Sequence, residues 1–562
     1  MQRVYCSHCS PSRRQLLIAL VVVWLALSSA LAPAEAQNEI SPAQQPVAID
    51  WPSVARDVQA LSQHLVSPPP SVAAGFAAEV DQALAGFAVS DKEAFRPLAR
   101  LNLFMAPVYP GKKSVPVPVL APIDTTRYLD GVALTGLLPQ DAMQSHLAPS
   151  VASMQFLPKT AGYDAILIVH PDLLKRHQIT NTNRVAVHIG GHGLVYELET
   201  NRTPKSQGAT RWRIQDGELK ALYPDLRRSA GADDITYSFM KYGVPYFASI
   251  TCAGRPYPPG DVIQCSKVDV ILQAVLRDLR LIGGTPTYLT RRVDAERLPR
   301  PQTRSQEFKF YPPGNLPKAI SQDLKGGVTD RVRWGPRDFR FPLENPKAHA
   351  NSQLFMHAGN CNGAGNKIEL SGGRYKCRQL PTRILEDREN HPDNYAYPWR
   401  DTYCEVRNDN DRGPPECPRA HEGQDIRPNN CVLVNGRCQI NMFPVVAVTR
   451  GHAIWTAANH IRLIAEDDTN LYYMYLHMSP DALREAKMIK DVAVPVDIGQ
   501  RVGKVGNWWK TQPAGTTAHL HFEIRTSGTL CAGGFGCTNA PYWTLLLAYE
   551  RLIGMQGTEI TE

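Results

Sequence analysis

The chain has no second long apolar run after its N-terminal stretch, and a membrane span needs about 20 consecutive apolar residues. No segment interleaves Lys and Arg with aromatics, which removes the usual footprint of a nucleic-acid binder. Past residue 36 there is no C-x2-C pair, the spacing that cysteine-built structural zinc sites use. Internal repeats and low-complexity tracts are also missing, so solenoids and disordered arrays are excluded.

What is present is a chain of 562 residues, with 43% hydrophobic and 20% charged side chains. That is the composition of a soluble globular protein, and its length suggests about three or four domains. The formal net charge of +8 is mild for this length and would suit an acidic polymer. The 45 prolines imply many turns and irregular connections.

Residues 1–36 read as an export signal: Arg3, Arg13 and Arg14, then an apolar run over 16–27, then Ala34-Glu35-Ala36 before Gln37. The other reading, an uncleaved anchor, meets a short apolar core followed by Pro33 and Glu35. Arg13-Arg14 is also compatible with a twin-arginine signal. The cysteines fit an oxidising compartment. Ten of the 12 lie beyond the signal and fall into close neighbours: Cys252/Cys265, Cys361/Cys377, Cys404/Cys417, Cys431/Cys438 and Cys531/Cys537. Local pairing is the expectation.

Residues 37–50 read as a polar leader. Helical apolar spacing over 51–103 supports two or three helices, and period-two runs at 115–120, 163–169, 185–189, 194–198 and 244–250 read as strands. Helical spacing returns over 268–281, so 37–290 is expected to be one α+β domain of unknown role. Within it, His188 and His192 flank Gly190-Gly191, read as a hairpin turn rather than a metal pair. Residues 291–340, rich in Pro and Arg, read as a linker or an irregular wrapping segment. From 341 to 552 the chain is cysteine-dense, with short strands expected at 445–448, 460–465, 471–476, 492–496 and 519–524. A helix is expected over 479–490, with Ser479 as cap and Pro480 in its first position.

Three elements in this last part carry chemistry. His421 and Asp425 lie four apart, with Gly423 between and Pro428 after, so a loop His bent back over a strand Asp is expected rather than a helix face. In Thr517-Ala518-His519-Leu520-His521-Phe522-Glu523, strand alternation puts His519 and His521 on one face and Leu520 and Phe522 on the other. Two imidazoles on one face suit a metal or catalytic site. His477 ends an apolar aromatic strand just before the helix, where a side chain can enter a cleft. Glu523 reads as a solvated strand glutamate, or else as a group that orients a histidine.

In this order, His421-x3-Asp425, His477 and His519-Leu520-His521-Phe522-Glu523 resemble the lysostaphin/LytM-type zinc metallopeptidases. Val445-Val446-Ala447-Val448 with Gly451, and the Gly-punctuated stretch 496–507, are similar to that family's strands. The resemblance covers roughly residues 395–545. It implies a mainly antiparallel β, LytM-like catalytic domain over 341–552, following the α+β domain, with one Zn2+ per chain. His421, Asp425 and His521 would be the metal ligands, with His477 and His519 as catalytic groups beside it. One of these would take a proton from water and the other would steady the oxyanion. The activity implied is that of an exported zinc metalloendopeptidase, periplasmic or secreted, cutting peptide cross-links of peptidoglycan. Its partners would be stem peptides, with neither nucleic acid nor a membrane span after signal removal. The alternatives are a non-catalytic wall-binding or hydrolase-regulating module, and an exported protease acting on proteins. The sequence departs from the family in its cysteine-closed segment between Asp425 and Val445 and in the long stretch before His421. These additions would reshape a groove.

Overall fold

Three helices follow the N-terminal apolar spacing: α1 Trp51–Ala60, α2 Pro70–Ala83 and α3 Val89–Phe104. Asp50 starts α1, its Oδ1 accepting from Ser53 N at 3.0 Å, and Pro52 occupies the first turn, where its missing N–H costs nothing. The structure is a computed structural model. It describes residues 42–61, 70–108, 115–135, 146–179, 184–196, 216–230, 234–252, 263–292, 298–315, 328–344, 348–350, 367–370, 374–377, 398–405, 421–428, 433–434, 437–456, 459–466, 470–509, 513, 516–526 and 537–560. The proposed export segment lies outside them.

A six-stranded antiparallel sheet follows the helices. Its strands are β1 Val151–Lys159, β2 Gly162–Val169, β3 Ala186–His192, β4 Arg227–Ala230, β5 Asp234–Lys241 and β6 Val244–Thr251, in spatial order β1-β2-β3-β6-β5-β4. Alternation sends Tyr163, Leu167, Val187, Ile235, Tyr237 and Tyr246 into one core with α1, α3 and helix α4 Val268–Asp278. The opposite face carries Asp164, His188, Asp234 and Ser249, all buried. Gly190-Gly191, expected as a turn, lies instead inside β3, paired with Asp164 and Tyr163 on one side and Phe247 and Tyr246 on the other. The neighbours explain the glycines. A Cβ on Gly190 would come within 2.7 Å of Phe247 Cε1, and one on Gly191 within 2.5 Å of Tyr246 Cε1.

The second large sheet has eight strands. They are β7 Ala348–Ala350, β8 Gln424–Pro428, β9 Gly451–Trp455, β10 Ile461–Ala465, β11 Leu471–Leu476, β12 Ala493–Val496, β13 Leu520–Thr526 and β14 Cys537–Asn539. The order is β7-β8-β13-β11-β10-β9-β12, and β14 also pairs with β13, at the end away from β8. Its inner face presents Leu463, Tyr473, Tyr475, Leu520, Phe522 and Ile524 to a core completed by helix α6 Tyr542–Ile553. A short helix, α5 Pro480–Glu485, follows His477, capped by Ser479, whose Oγ accepts from Ala482 N at 3.2 Å. It is shorter than the sequence suggests, because Lys487 takes a positive φ and closes it.

The segment read as linker or wrapping segment supplies a strand, Arg304–Phe310, which pairs in parallel with Gln556–Glu559. Phe308, Phe310, Trp334 and Phe341 are buried in the second sheet's core. Cys252 and Cys265 are bonded to each other, and Cys404 is disulfide-bonded. The pairings expected for Cys361, Cys417, Cys431 and Cys531 involve positions outside the described residues. Among the described residues, no helix is long and apolar enough to cross a membrane.

The outer faces of the two sheets meet. Leu157 and Ile166 from the first pack with Ile454, Ile464, Tyr472, Met474 and Leu476 from the second. Gln155 clamps the edge, donating Nε2 to Ala493 O at 2.8 Å and accepting from Ala493 N at 3.0 Å. His521, Glu523 and Arg525 lie on the face of β13 opposite Leu520, Phe522 and Ile524, towards this junction.

Candidate metal centre

Asp425 sits in β8 directly opposite His521 in β13, and Leu476 at the end of β11 faces His521 from the other side. This register brings together residues a hundred positions apart. His421 lies just before β8, in a bend that Gly423 permits: a Cβ there would meet Phe522 O at 2.4 Å and His521 Nε2 at 2.8 Å. The loop at 400–403 is stitched to β8 by Thr402, whose Oγ1 accepts from Asp425 N at 3.1 Å, and by Gln424 Oε1, which accepts from Thr402 N at 3.1 Å.

His421 Nε2 and His521 Nδ1 are 2.7 Å apart, and each is 3.2 Å from Asp425 Oδ1. All three residues are buried and form a group able to hold a metal ion. The outer bonds of the rings fix what these atoms are. His421 Nδ1 donates to Thr402 O at 2.9 Å, so in the neutral ring Nε2 carries a lone pair. His521 Nε2 meets Glu523 Oε1 at 2.8 Å, which places the N–H there and a lone pair on Nδ1. Two nitrogen lone pairs and a carboxylate oxygen therefore converge on one point. Such a set repels itself until a cation, a proton or a metal ion, lies between, and its one-O, two-N chemistry fits zinc.

Electrostatics say the same of His521. Burial works against its charged form, yet bonds to Asp425 and Glu523 raise its pKa to about 9. Glu523 is not solvated, which corrects the sequence reading. It is buried, and although burial works to raise its pKa, the Arg525 charge and the His521 bond bring it to about 2. Arg525 Nε donates to Glu523 Oε2 at 2.6 Å, its Nη2 to Glu422 Oε2 at 3.1 Å, and its Nη1 to Asp234 of β5 at 3.2 Å. The support of the centre therefore begins in the first sheet. Alternation along 519, 521, 523 and 525 was the signal for Glu523 and Arg525. Asp234, 291 positions from Arg525, had none.

His519 and His477 stand beside the group. His519 Nδ1 donates to Thr517 O at 2.8 Å, and its Nε2 lies 3.3 Å from Asp425 Oδ1. Buried Arg427 braces the turn before it, donating to Thr517 Oγ1 at 3.0 Å and Ala518 O at 3.3 Å. His477 Nδ1 donates to Trp508 O at 2.7 Å, and its ring centroid is 4.6 Å from that of His519 and 5.9 Å from that of His521. Burial, then the neighbouring histidines, hold the His477 pKa well below its ordinary value, and burial lowers that of His519. Both are neutral bases at pH 7. His477 takes φ +73°, a conformation that costs a non-glycine residue of order 1–3 kcal/mol and is typical of functional sites. Gly506 allows the close approach, since a Cβ on it would meet His477 O at 2.4 Å.

No family model matches the chain, and no curated protein matches it. Among solved structures it is similar to a candidate glycyl-glycine endopeptidase LytM from Ruminococcus gnavus ATCC 29149, at 21% identity and a TM-score of 0.17. The match covers 25% of this chain and 50% of that one, so the chain spans about half the length of the protein it matches.

Proposed function

We propose that this chain is an exported zinc metalloendopeptidase that hydrolyses peptide cross-links of peptidoglycan. The observation that carries it is the convergence of His421 Nε2, His521 Nδ1 and Asp425 Oδ1, with the imidazoles of His519 and His477 alongside. His421, Asp425 and His521 would hold one zinc ion. When bound, such an ion supplies Lewis acidity towards a water and a peptide carbonyl.

The chain's own residues do the rest. His519 and His477 each have Nδ1 tied to a backbone carbonyl, which leaves Nε2 of each to handle a proton. One Nε2 takes a proton from the attacking water and returns it to the leaving amine. The other steadies the developing oxyanion only as an imidazolium, once it has taken up a proton that the growing negative charge favours. Glu523 holds the His521 ring, and Thr402 O holds that of His421. In this reading residues 1–36 direct export to the periplasm or beyond. Residues 37–290 form an α+β partner to the catalytic part over 341–552, and 291–340 joins the two.

The test is metal analysis of the purified chain, with release of new amines from sacculi. His521→Ala should lose the bound zinc and the cleavage together, and cleavage that survives unchanged rules the ligand assignment out.

A further inference from the structure

Arg525 ties together the two histidine-bearing segments of the metal group. The side of its guanidinium formed by Nε and Nη2 is divided between two carboxylates. Nε donates to Glu523 Oε2 at 2.6 Å, and Nη2 to Glu422 Oε2 at 3.1 Å. Glu523 holds the His521 ring through Oε1 at 2.8 Å, and Glu422 follows His421 directly in the chain. Nη1 remains, and its partner comes from the other sheet. Asp234, the first residue of β5, accepts from it through both oxygens, at 3.3 and 3.2 Å.

This path is dry. Asp234 and Arg525 are each 6% exposed, Glu523 2% and Glu422 8%. Charge-assisted hydrogen bonds in such a setting are strong and directional, and water does not screen them. Two consequences follow for His521. An arginine side chain is long and flexible, and the anchor on Nη1 fixes the plane in which its planar fork presents Nε and Nη2. Glu523 is also shared between His521 and Arg525. A carboxylate at the far end of the guanidinium takes up part of its charge, which leaves Glu523 more anionic towards His521 Nε2 and Nδ1 a better donor to a metal.

We propose that Asp234 is a positioning residue of the metal centre, acting on His521 through Arg525 and Glu523, and that residues 37–290 thereby complete a zinc site carried by 341–552. This rests on His421, Asp425 and His521 being the metal ligands. The rival role for Asp234 is structural. It lies between two guanidiniums, with Arg462 Nη2 4.0 Å from its Oδ2, and would then serve only to neutralise them. Stability falls under either role when Asp234 loses its charge, because buried cations are left uncompensated. Metal affinity and metal geometry separate the two.

The test is zinc affinity of the full-length chain, by competition with a chelating dye, in the parent, Asp234→Asn, Glu523→Gln and the double variant. Asp234→Asn should bind zinc at least about fivefold more weakly, a smaller loss than the roughly 10–100-fold expected of Glu523→Gln. Added to Glu523→Gln, it should change affinity by less than about twofold, since the path is already cut. Asp234→Glu keeps the charge and should return to within about threefold of the parent. The visible absorption of the Co2+-loaded chain reports ligand geometry in folded, loaded molecules alone. It should change in Asp234→Asn and revert in Asp234→Glu. Should the amide not fold, Asp234→Ser, which leaves room for a water on Nη1, completes the same cycle. Unchanged zinc affinity in the neutral variant overturns the proposal. So does an equal loss in both backgrounds, which would mean that the charge acts on the ion through space. A parent that binds neither zinc nor cobalt overturns the ligand assignment itself, and this proposal with it.

Discussion

Each ring nitrogen of His521 has a different task. Nδ1 faces His421 and Asp425, and Nε2 is bonded to Glu523, which is itself held by Arg525. The carboxylate fixes the tautomer, and its charge makes Nδ1 a better donor towards a metal. Glu523→Gln keeps the shape and removes the charge. It also leaves the Arg525 guanidinium with two carboxylates in place of three. Zinc affinity, measured by competition with a chelating dye, should fall roughly 10–100-fold. Unchanged affinity would mean that Glu523 serves only to neutralise Arg525.

At the scale of elements, the loop at 400–403 decides whether His421 and β8 are held together. Asp401 is fully buried there, accepting from Gly314 N at 3.0 Å and Tyr403 N at 2.9 Å. Burial outweighs those bonds and pushes its pKa up to about 7. Between the unfolded value near 4 and the folded one, the native chain holds a proton that the unfolded chain has lost. Stability through this group therefore declines as pH rises across that window, by at most roughly 4 kcal/mol. Asp401→Asn should remove this decline, and urea unfolding at pH 4, 5.5 and 7 measures it. An identical slope in parent and variant would place the titration elsewhere. Much of the element plan was legible in the sequence. Alternation placed His519 and His521 on one face, and Ser479-Pro480 marked the start of α5. Gly190-Gly191 misled because glycine also appears where Phe247 and Tyr246 press on a strand, a cause that lies across the sheet. Helix α6 was missed in the sequence, where its apolar residues dominate; Tyr542 to Glu550 are all buried, so no run of solvent-facing polar residues marks it out. Glu523 looked solvated because the chain that buries it, around Asp234, is nearly three hundred positions away.

In the whole molecule, two sheets meet through faces that carry charge as well as apolar side chains. Arg525 gathers Asp234, Glu422 and Glu523, and Lys159 pairs with Asp164 at 2.8 Å. Burying such charges costs desolvation, so their value lies in fixing one arrangement of the sheets and not in raw stability. His188 shows how this layer responds to acid. Burial, partly offset by the bond and charge of Asp164, lowers its pKa to about 4. Below pH 6.5 the unfolded chain takes up a proton that the folded chain refuses. The contribution of His188 is therefore complete above pH 6.5 and is lost as pH falls through about 4, by up to roughly 3 kcal/mol. A proton on Nδ1 would also end its acceptance from Arg462 Nη1 and set two cations side by side. Asp401 drives stability the opposite way over the same range, so the parent's slope alone does not isolate His188. The difference does. His188→Gln retains a donor and an acceptor but does not titrate, and its stability relative to the parent should improve steadily from pH 7 to pH 4 in urea unfolding. A constant difference across that range would show that His188 keeps an ordinary pKa in the folded chain and that the sheet junction is open to water.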